Sequence, residues 1–384
     1  MTIASQIAFV FCIASAVLLW ASTLGYLLVL ELLIVLKRRH SHSDPDLPAV
    51  AAVVPVLNEE SAIARKLSDL GRCLYPPDRI RWLIVDGGSR DRTVDIVKEA
   101  ISRGDKIELI SLPDARTKAE QVRRVLSFIS EEIIILTDAD SSLDPACIGE
   151  LVHALSIDAK TGLVGTTVKP ETRLQEEQIH WRFLNHFWWL EGEALSCAGL
   201  SGVCYAVRRK VLSSLAPDAR AEDTHLGLSA CRLGFGVKLS RRALATELRV
   251  PRNAAEFLYY RRRRGSCYLA EFQNGTAAVK EWRWRFARSV RLWQLQGTPW
   301  LSLVAFLSGA LLLTTRYWLV PCLISLAFGV PLLLLSAVLS RRSQDRTPWP
   351  RLFWATGRFA ILFLASLVLL KKSLPEQGPI GGRT

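Results

Sequence analysis

One run of 34 residues, "IASQIAFVFCIASAVLLWASTLGYLLVLELLIVL" (3–36), contains a single charged side chain, Glu31. Nothing else in the 384-residue chain restricts its fold as much. A bilayer core offers no water to backbone N–H and C=O groups, so a run that enters it has to be helical. About 20 apolar residues cross the hydrocarbon, and this run exceeds that with room for tilt. A cleaved leader would be shorter and would carry its basic residues first. Here Lys37, Arg38 and Arg39 come after the run. By the positive-inside rule the residues that follow them lie on the cytoplasmic side.

A second apolar block, about 299–340, is broken near Arg316 and Pro321 and reads as two spans, out and back. Arg341, Arg342, Arg346 and Arg351 follow it. The run 352–370 contains Arg358 and leads into Lys371 and Lys372, and reads as a fourth span or as a segment lying at the interface. In "KEWRWRFARSVRLWQLQGTPW" (280–300), Trp282, Trp284, Trp293 and Trp300 alternate with arginines, the composition of a helix at headgroup level. RNA or DNA binding uses similar residues, but a membrane neighbour favours the interface helix, so no nucleic-acid partner is expected. A chain that is 50% hydrophobic yet carries a net charge of +13 agrees with an integral protein of the inner or plasma membrane. The expected organisation is a membrane helix in 1–40, a cytoplasmic domain in 48–275, an interface helix in 276–298 and membrane helices in 299–372. Eight cysteines are scattered with no CxxC pair, which reads as reduced, buried thiols.

The cytoplasmic stretch alternates strand and helix. "AVAAVVPV" (49–56), "IRWLIVD" (80–86), "KIELISL" (106–112) and "EIIILTDAD" (132–140) are short apolar, β-branched runs. Helices are expected over 59–73, capped by Asn58, after Asp91, and over 116–130. Strands alternating with helices predict an α/β fold, a mostly parallel sheet covered on both faces. Ligands bind such sheets at the carboxyl ends of the strands. Asp86 ends the second strand there, and Asp138 and Asp140 end the fourth. Carboxylates this close repel unless a cation or a shared proton offsets them. Mg²⁺ or Mn²⁺ fits, because one or two carboxylates plus a diphosphate is a common arrangement for such an ion. Asp140 is then the metal ligand and Asp138 faces the nucleotide. Neither GxGxxG nor GxxxxGK[ST] is present, so no dinucleotide cofactor and no P-loop is indicated.

"VPVLNEE" (54–60), "VDGGSRDRT" (85–93), "TDADSSLDP" (137–145) and "AEDTHLGLSACRLGFGVKL" (221–239) follow one another in an order that resembles the family-2 glycosyltransferases. This is the inverting, membrane-bound group that includes cellulose, chitin and hyaluronan synthases and ceramide glucosyltransferase. The resemblance covers residues 50 to about 270. It implies a GT-A-type nucleotide-sugar-binding domain, with Pro55 and Glu59 lining the nucleotide pocket, Asp86 on the uracil or ribose, and Lys118 near the base. Asp138 and Asp140 become the DxD motif for diphosphate and metal, and Asp223 the catalytic base with Glu222 beside it. "SGVCYAVRR" (201–209) resembles the acceptor-side segment through Gly202, Tyr205 and Arg208.

A base at Asp223 also has a chemical rationale of its own: an acceptor hydroxyl attacking an anomeric carbon has to lose its proton, and a carboxylate within reach takes it. The competing reading of Asp223 is a residue of the first turn of a capped helix. The chain departs from the family at "YYRRRRGSCY" (259–268), where QxxRW is usual. Arg261 and Arg264 are the expected diphosphate contacts there, since guanidinium groups suit phosphate oxygens. "IHWRFLNHFWWLEGEAL" (179–195) is aromatic at helical spacing and reads as a core helix, or else as one packed at the bilayer surface. The expected activity is transfer of a sugar from a nucleotide-sugar, a UDP-sugar first, to a lipid or glycan delivered from the bilayer. A processive polysaccharide synthase is the alternative enzyme, and a non-catalytic membrane scaffold retaining the fold is the alternative outside catalysis.

Overall fold

The computed structural model describes residues 2–37, 47–115, 117–197, 199–274, 281–342 and 349–368. Arg38, Arg39, Arg346, Lys371 and Lys372, part of the charge asymmetry above, lie outside the described residues.

The chain opens with α1 (Ile3–Trp20), a π turn (Ala21–Gly25) and α2 (Tyr26–Leu36), together one long apolar helix. An alternating region follows: β1 (Val50–Val56), α3 (Glu60–Gly71), β2 (Ile80–Asp86), α4 (Thr93–Ser102), β3 (Ile107–Ser111), α5 (Lys118–Arg124) and β4 (Ile133–Thr137). Next come β5 (Ser141–Leu143), α6 (Cys147–Ser156), β6 (Thr161–Pro170), α7 (Gln175–Ala194), β7 (Cys204–Arg208), α8 (Arg209–Leu212), α9 (Glu222–Arg232) and β8 (Gly236–Glu247). Five helices close the described chain: α10 (Ala254–Asn274), α11 (Trp282–Gln296), α12 (Thr298–Leu313), α13 (Leu319–Arg342) and α14 (Trp349–Val368).

All eight strands join one sheet in the order β3-β2-β1-β4-β7-β6-β8-β5. The first four are mutually parallel, as the alternating pattern predicts, and β6 and β8 are also parallel. β7 runs antiparallel to β4 and β6, and β5 antiparallel to β8. Every residue of β1 and β4 is buried. Such continuous burial is why these strands read as unbroken apolar runs instead of alternating ones. Strand order reverses between β1 and β4, and ligands of open α/β sheets bind in the crevice at that point. Pro55 sits where this crevice opens. β1 pairs with β4 only as far as Val53, so a residue without an N–H is tolerated two positions later.

The capping expectation at Asn58 is corrected. Asn58 lies in the left-handed region (φ 55°), and its Oδ1 accepts from the Arg90 N–H at 2.8 Å. Asp91 caps both neighbouring helices, accepting from the Glu60 N–H (3.1 Å) and the Thr93 N–H (3.0 Å). The two loops that rim the crevice are thereby tied together. Gly88, at φ +93°, makes the turn after β2, and a Cβ there would lie 3.2 Å from Pro113 Cα.

Ile3–Leu36 and Leu319–Leu339 are long and apolar enough to cross a membrane. α11 and α12 form a pair bent by 48° that passes the same test only when taken together. α12 alone has 16 residues, about 24 Å at 1.5 Å per residue, short of the hydrocarbon thickness. The break expected near Arg316 falls between α12 and α13, and of these two α13 passes the test by itself. α14 packs on both α7 and α13: Arg358 Nε lies 2.8 Å from Glu176 Oε1 of α7, Phe359 stacks on Phe183, and Thr356 shares a hydrogen bond with Ser336 of α13 (3.0 Å). α7 itself is the hub. Trp181 and Trp188 bury one face in the core, while Glu191 accepts from the Tyr26 hydroxyl of α2 (2.9 Å) and faces Arg291 of α11 (3.5 Å). Gln294 of α11 donates to the Ser22 carbonyl in the π turn, supplying a partner where the regular helical bonds are interrupted. All eight cysteines are free thiols.

Candidate active site

The crevice carries carboxylates on four separate segments, and two cations hold them in pairs. β4 ends at Thr137, and the loop to β5 presents Asp138 and Asp140 on either side of buried Ala139. Two contacts set this loop: Asp138 N–H donates to the Val203 carbonyl (3.0 Å) and Ser141 Oγ to the Asp138 carbonyl (2.8 Å). Beneath it lies Lys66 of α3, fully buried, whose ammonium donates to Thr137 Oγ1 (3.1 Å) and Ser141 Oγ (2.8 Å). Burial lowers the Lys66 pKa, and the nearby charges of Asp138, Asp69 and Asp140 oppose that shift.

Lys118 begins α5 behind the Thr117 cap. Its ammonium reaches Asp138 Oδ1 at 2.5 Å and also pairs with Glu222. Burial alone would lower its pKa, but Asp138 and Glu222 hold it well above the ordinary lysine range. Across the crevice Arg249, on the segment after β8, contacts Glu59 Oε2 (2.7 Å) and Asp140 Oδ2 (3.2 Å). Burial raises the carboxyl pKa of both Glu59 and Asp140, the latter helped by the charge of Asp138, and Arg249 opposes the rise in each.

Asp223 stands in the first turn of α9, its Oδ1 accepting from the Thr224 N–H (2.6 Å). Burial first, and then the charge of Glu222, push its carboxyl up to about 7. A carboxylate with that pKa is half deprotonated at neutral pH, which suits a general base. Gly202 makes room for it: a Cβ there would come within 3.2 Å of Asp223 Oδ2 and 3.4 Å of Glu222 Oε1. Asp86 ends β2 with its carboxylate accepting from the N–H groups of Gly88 and Ser89, both at 3.0 Å. It shapes the rim turn and is buried.

Of the sequence-derived site residues, Pro55, Glu59, Asp86, Lys118, Asp138, Asp140, Gly202, Glu222 and Asp223 share this edge of the sheet. Three others are corrected: Arg261, Tyr205 and Arg208. Arg261 is buried, paired with Glu177 (3.0 Å) and His180, and burial pushes its pKa down to about 10. Arg264 lies nearer the crevice, with its guanidinium on buried Glu247 at the end of β8. Tyr205 is fully buried opposite Leu136, under the carboxylates instead of on an acceptor surface. Arg208 lies at the opposite end of β7, donating to the carbonyls of Thr161 (2.8 Å) and Leu155 (3.2 Å). Lys66 and Arg249 are the residues that sequence reasoning missed. Lys66 reads as one more polar position in "IARKLSDL", and Arg249 as a lone cation before Val-Pro.

Among the described residues no three His, Cys, Asp or Glu side chains form a ready cation cage. The donor chemistry is two carboxylates, Asp138 and Asp140, on one short loop. That set fits an Mg²⁺ or Mn²⁺ ion completed by substrate phosphate oxygens and water, and does not fit a metal held by protein alone.

The model of the family described as "Glycosyl transferase family 2" matches residues 51–215. The chain is 28% identical over 214 residues to "Probable glycosyltransferase YdaM" of Bacillus subtilis, covering 53% of this chain and 51% of that protein. It is 31% identical over 99 residues to "Beta-monoglucosyldiacylglycerol synthase" of a Nostoc species, covering 25% and 21%. The chain spans about half the length of the first of these relatives and less of the second. Among solved structures, "Mannosyltransferase PcManGT from Pyrobaculum calidifontis in complex with GDP-Man and Mn2+" aligns over 93% of this chain and 99% of its own, with a TM-score of 0.68 and 20% identity. The two share a fold.

Proposed function

We propose that the chain is a membrane-bound, inverting glycosyltransferase that moves one sugar from a nucleotide-sugar, a UDP-sugar first, to a lipid hydroxyl; the match of residues 51–215 to the family-2 glycosyltransferase model and the fold shared with a solved mannosyltransferase support this reading. The observation that carries this reading is the paired arrangement at the sheet edge: Asp138 and Asp140 on the β4–β5 loop, and a base-tuned Asp223 facing Gly202.

In this reading the nucleotide lies over the crevice between β1 and β4, against Pro55 and the Asp86 turn. Asp138 and Asp140 hold a divalent cation, which when bound supplies positive charge for the departing diphosphate. Lys118 has two roles. It neutralises Asp138, and it pairs with Glu222, leaving Asp223 the carboxylate of that pair without a cation on it. Asp223 takes the proton of the acceptor hydroxyl as its oxygen attacks the anomeric carbon from the face opposite the leaving group. One displacement by one base inverts the configuration.

The lipid acceptor is supported by the helices Ile3–Leu36 and Leu319–Leu339 and by α11, whose exposed Trp282, Phe286 and Trp293 suit a headgroup layer. The name of the diacylglycerol-glucosylating relatives points the same way. The proposed organisation keeps 48–275 as the catalytic domain, on the cytoplasmic face of the membrane. The test is incubation of membranes containing the chain with a panel of radiolabelled nucleotide sugars, followed by lipid extraction. One labelled lipid carrying a single added sugar is expected. A ladder of products would indicate a processive synthase, and no transfer from any donor would remove the enzymatic reading.

Lys66 gives a second test. Lys66→Met keeps the volume but removes the donor to the buried Thr137 and Ser141 hydroxyls, so the Tm should fall only slightly. Affinity for the Mn²⁺–nucleotide complex should fall by roughly 10-fold as the Asp138–Asp140 loop loses its anchor. Unchanged affinity, whatever the Tm, would reduce Lys66 to a packing role.

A further inference from the structure

Arg249 is not used by the chemistry above. It follows β8 by two residues, and the preceding Leu248 N–H donates to the Asp140 carbonyl (3.2 Å), which seats this segment on the carboxylate loop. Its guanidinium is shared between elements distant in the chain. Nη2 donates to Glu59 Oε2 at the start of α3 (2.7 Å), and Nε lies 3.2 Å from Asp140 Oδ2. The two carboxylates are mostly covered, with side-chain exposures of 14% and 24%, whereas Arg249 is 56% exposed. The cation therefore lies over the acids from the solvent side.

We infer that Arg249 is the resident counter-ion of the donor site: it competes with a divalent cation for Asp140 while no donor is bound, and passes to the diphosphate when donor and cation arrive together. The inference rests on the donor-site reading proposed above. While Nε sits on Asp140 Oδ2, a divalent cation can share that carboxylate only through Oδ1 and beside a positive charge, which weakens its binding. Arg249 cannot yield by losing its proton, because a guanidinium keeps its charge at any working pH. It can only move. An exposed ion pair is weakly held and screened by water, so that movement is easy. A planar fork released beside a diphosphate has matching acceptor oxygens. Free metal therefore meets a competitor in the empty site, whereas metal arriving with a diphosphate brings the competitor a new partner. The two ligands bind cooperatively.

The experiment uses the full chain in detergent micelles. Mn²⁺ binding is followed by the loss of the free-ion paramagnetic resonance signal, alone and with UDP, and with GDP in parallel. In Arg249→Gln, Mn²⁺ alone should bind roughly fivefold tighter than in the wild type, while the Mn²⁺–nucleotide complex should bind about tenfold more weakly. Arg249→Lys should fall between the two on both measures, since an ammonium keeps the charge and loses the fork. A tether serving only to hold the loop would weaken both or change neither, and either result overturns the inference. Asp140→Asn separates the two levels. If it binds Mn²⁺ as the wild type does, the donor-site reading itself fails and the inference fails with it. If Asp140→Asn loses Mn²⁺ while Arg249→Gln leaves the affinity for Mn²⁺ alone unchanged, only the counter-ion role is lost.

Discussion

Asp223→Asn should lower kcat by about 10²–10⁴-fold and leave binding of the Mn²⁺–nucleotide complex unchanged. The amide keeps the size of the side chain and can still accept from the Thr224 N–H, but it cannot take a proton from the acceptor. The wild-type pH profile carries the same message. With the Asp223 carboxyl pushed up to about 7 by burial and by Glu222, the acid form dominates below that pH and the base is missing. kcat/KM should then rise about tenfold per pH unit through the acid range and level off above 7. In Glu222→Gln the acid limb should move to lower pH, because the neighbouring negative charge that disfavours ionisation is gone; Lys118, also facing Asp223, would push the same way once freed from Glu222. For stability the sign is the reverse of a paired carboxylate. A carboxyl whose folded pKa is raised stabilises the fold at low pH, and that contribution is lost as pH rises from the ordinary carboxylate range to about 7. Asp223→Asn removes the ionisation, so its Tm at pH 8 should hold or increase. Loss of turnover together with loss of Tm would point to misfolding, and retained turnover would reassign the base.

What could be read in the sequence and what could not divide along one physical line. β1, β2 and β4 are apolar and β-branched because both faces of each are covered, and an aspartate at the end of such a run stands out against it. Asp86, Asp138 and Asp140 were visible for that reason. Parallel order followed from the alternation with helices. Pairings between residues far apart in sequence leave no periodic trace. Arg249 meets Glu59 across 190 positions and Lys66 meets Ser141 across 75, so neither residue differs in sequence from an ordinary surface cation. The arginine run of α10 is hard to read for a different reason. Residues of a helix turn by about 100° each, so Arg261 and Arg264 share a face, and that face meets Glu177 and Glu247 inside the protein. A run of identical residues cannot disclose which of its members faces a buried acid. Tyr205 and Arg208 lie on one strand with Cys204, and strand direction sends Arg208 to the far end of the sheet. Their nearness in sequence to Gly202 carried no information about depth or distance.

Asp140→Asn should reduce Mn²⁺-dependent nucleotide affinity by about 100-fold and kcat/KM by at least as much. Asp140 is the more suitable of the two loop carboxylates for the cation. Asp138 already gives Oδ1 to Lys118 at 2.5 Å, whereas the partner of Asp140 is the mostly exposed Arg249. Replacing Asp140 removes one of only two carboxylates on the loop, and the described residues offer no third acid in a geometry to replace it. The loop itself should survive. The Lys66 contacts to Thr137 and Ser141, the Asp138 N–H to the Val203 carbonyl, and the Leu248 N–H to the carbonyl of residue 140 do not depend on the side chain at that position. Removing a carboxyl whose ionisation is opposed by burial and by Asp138 should not lower the Tm at neutral pH. The measurement is titration of UDP and of GDP at fixed Mn²⁺, with a thermal melt of the same preparation. Asp138→Asn differs in one respect: it frees Lys118 to pair with Glu222 alone, so it should alter the pH profile that Asp140→Asn leaves in place. Equal nucleotide affinity in wild type and Asp140→Asn would move the cation elsewhere, and the sheet edge would lose its claim to the diphosphate.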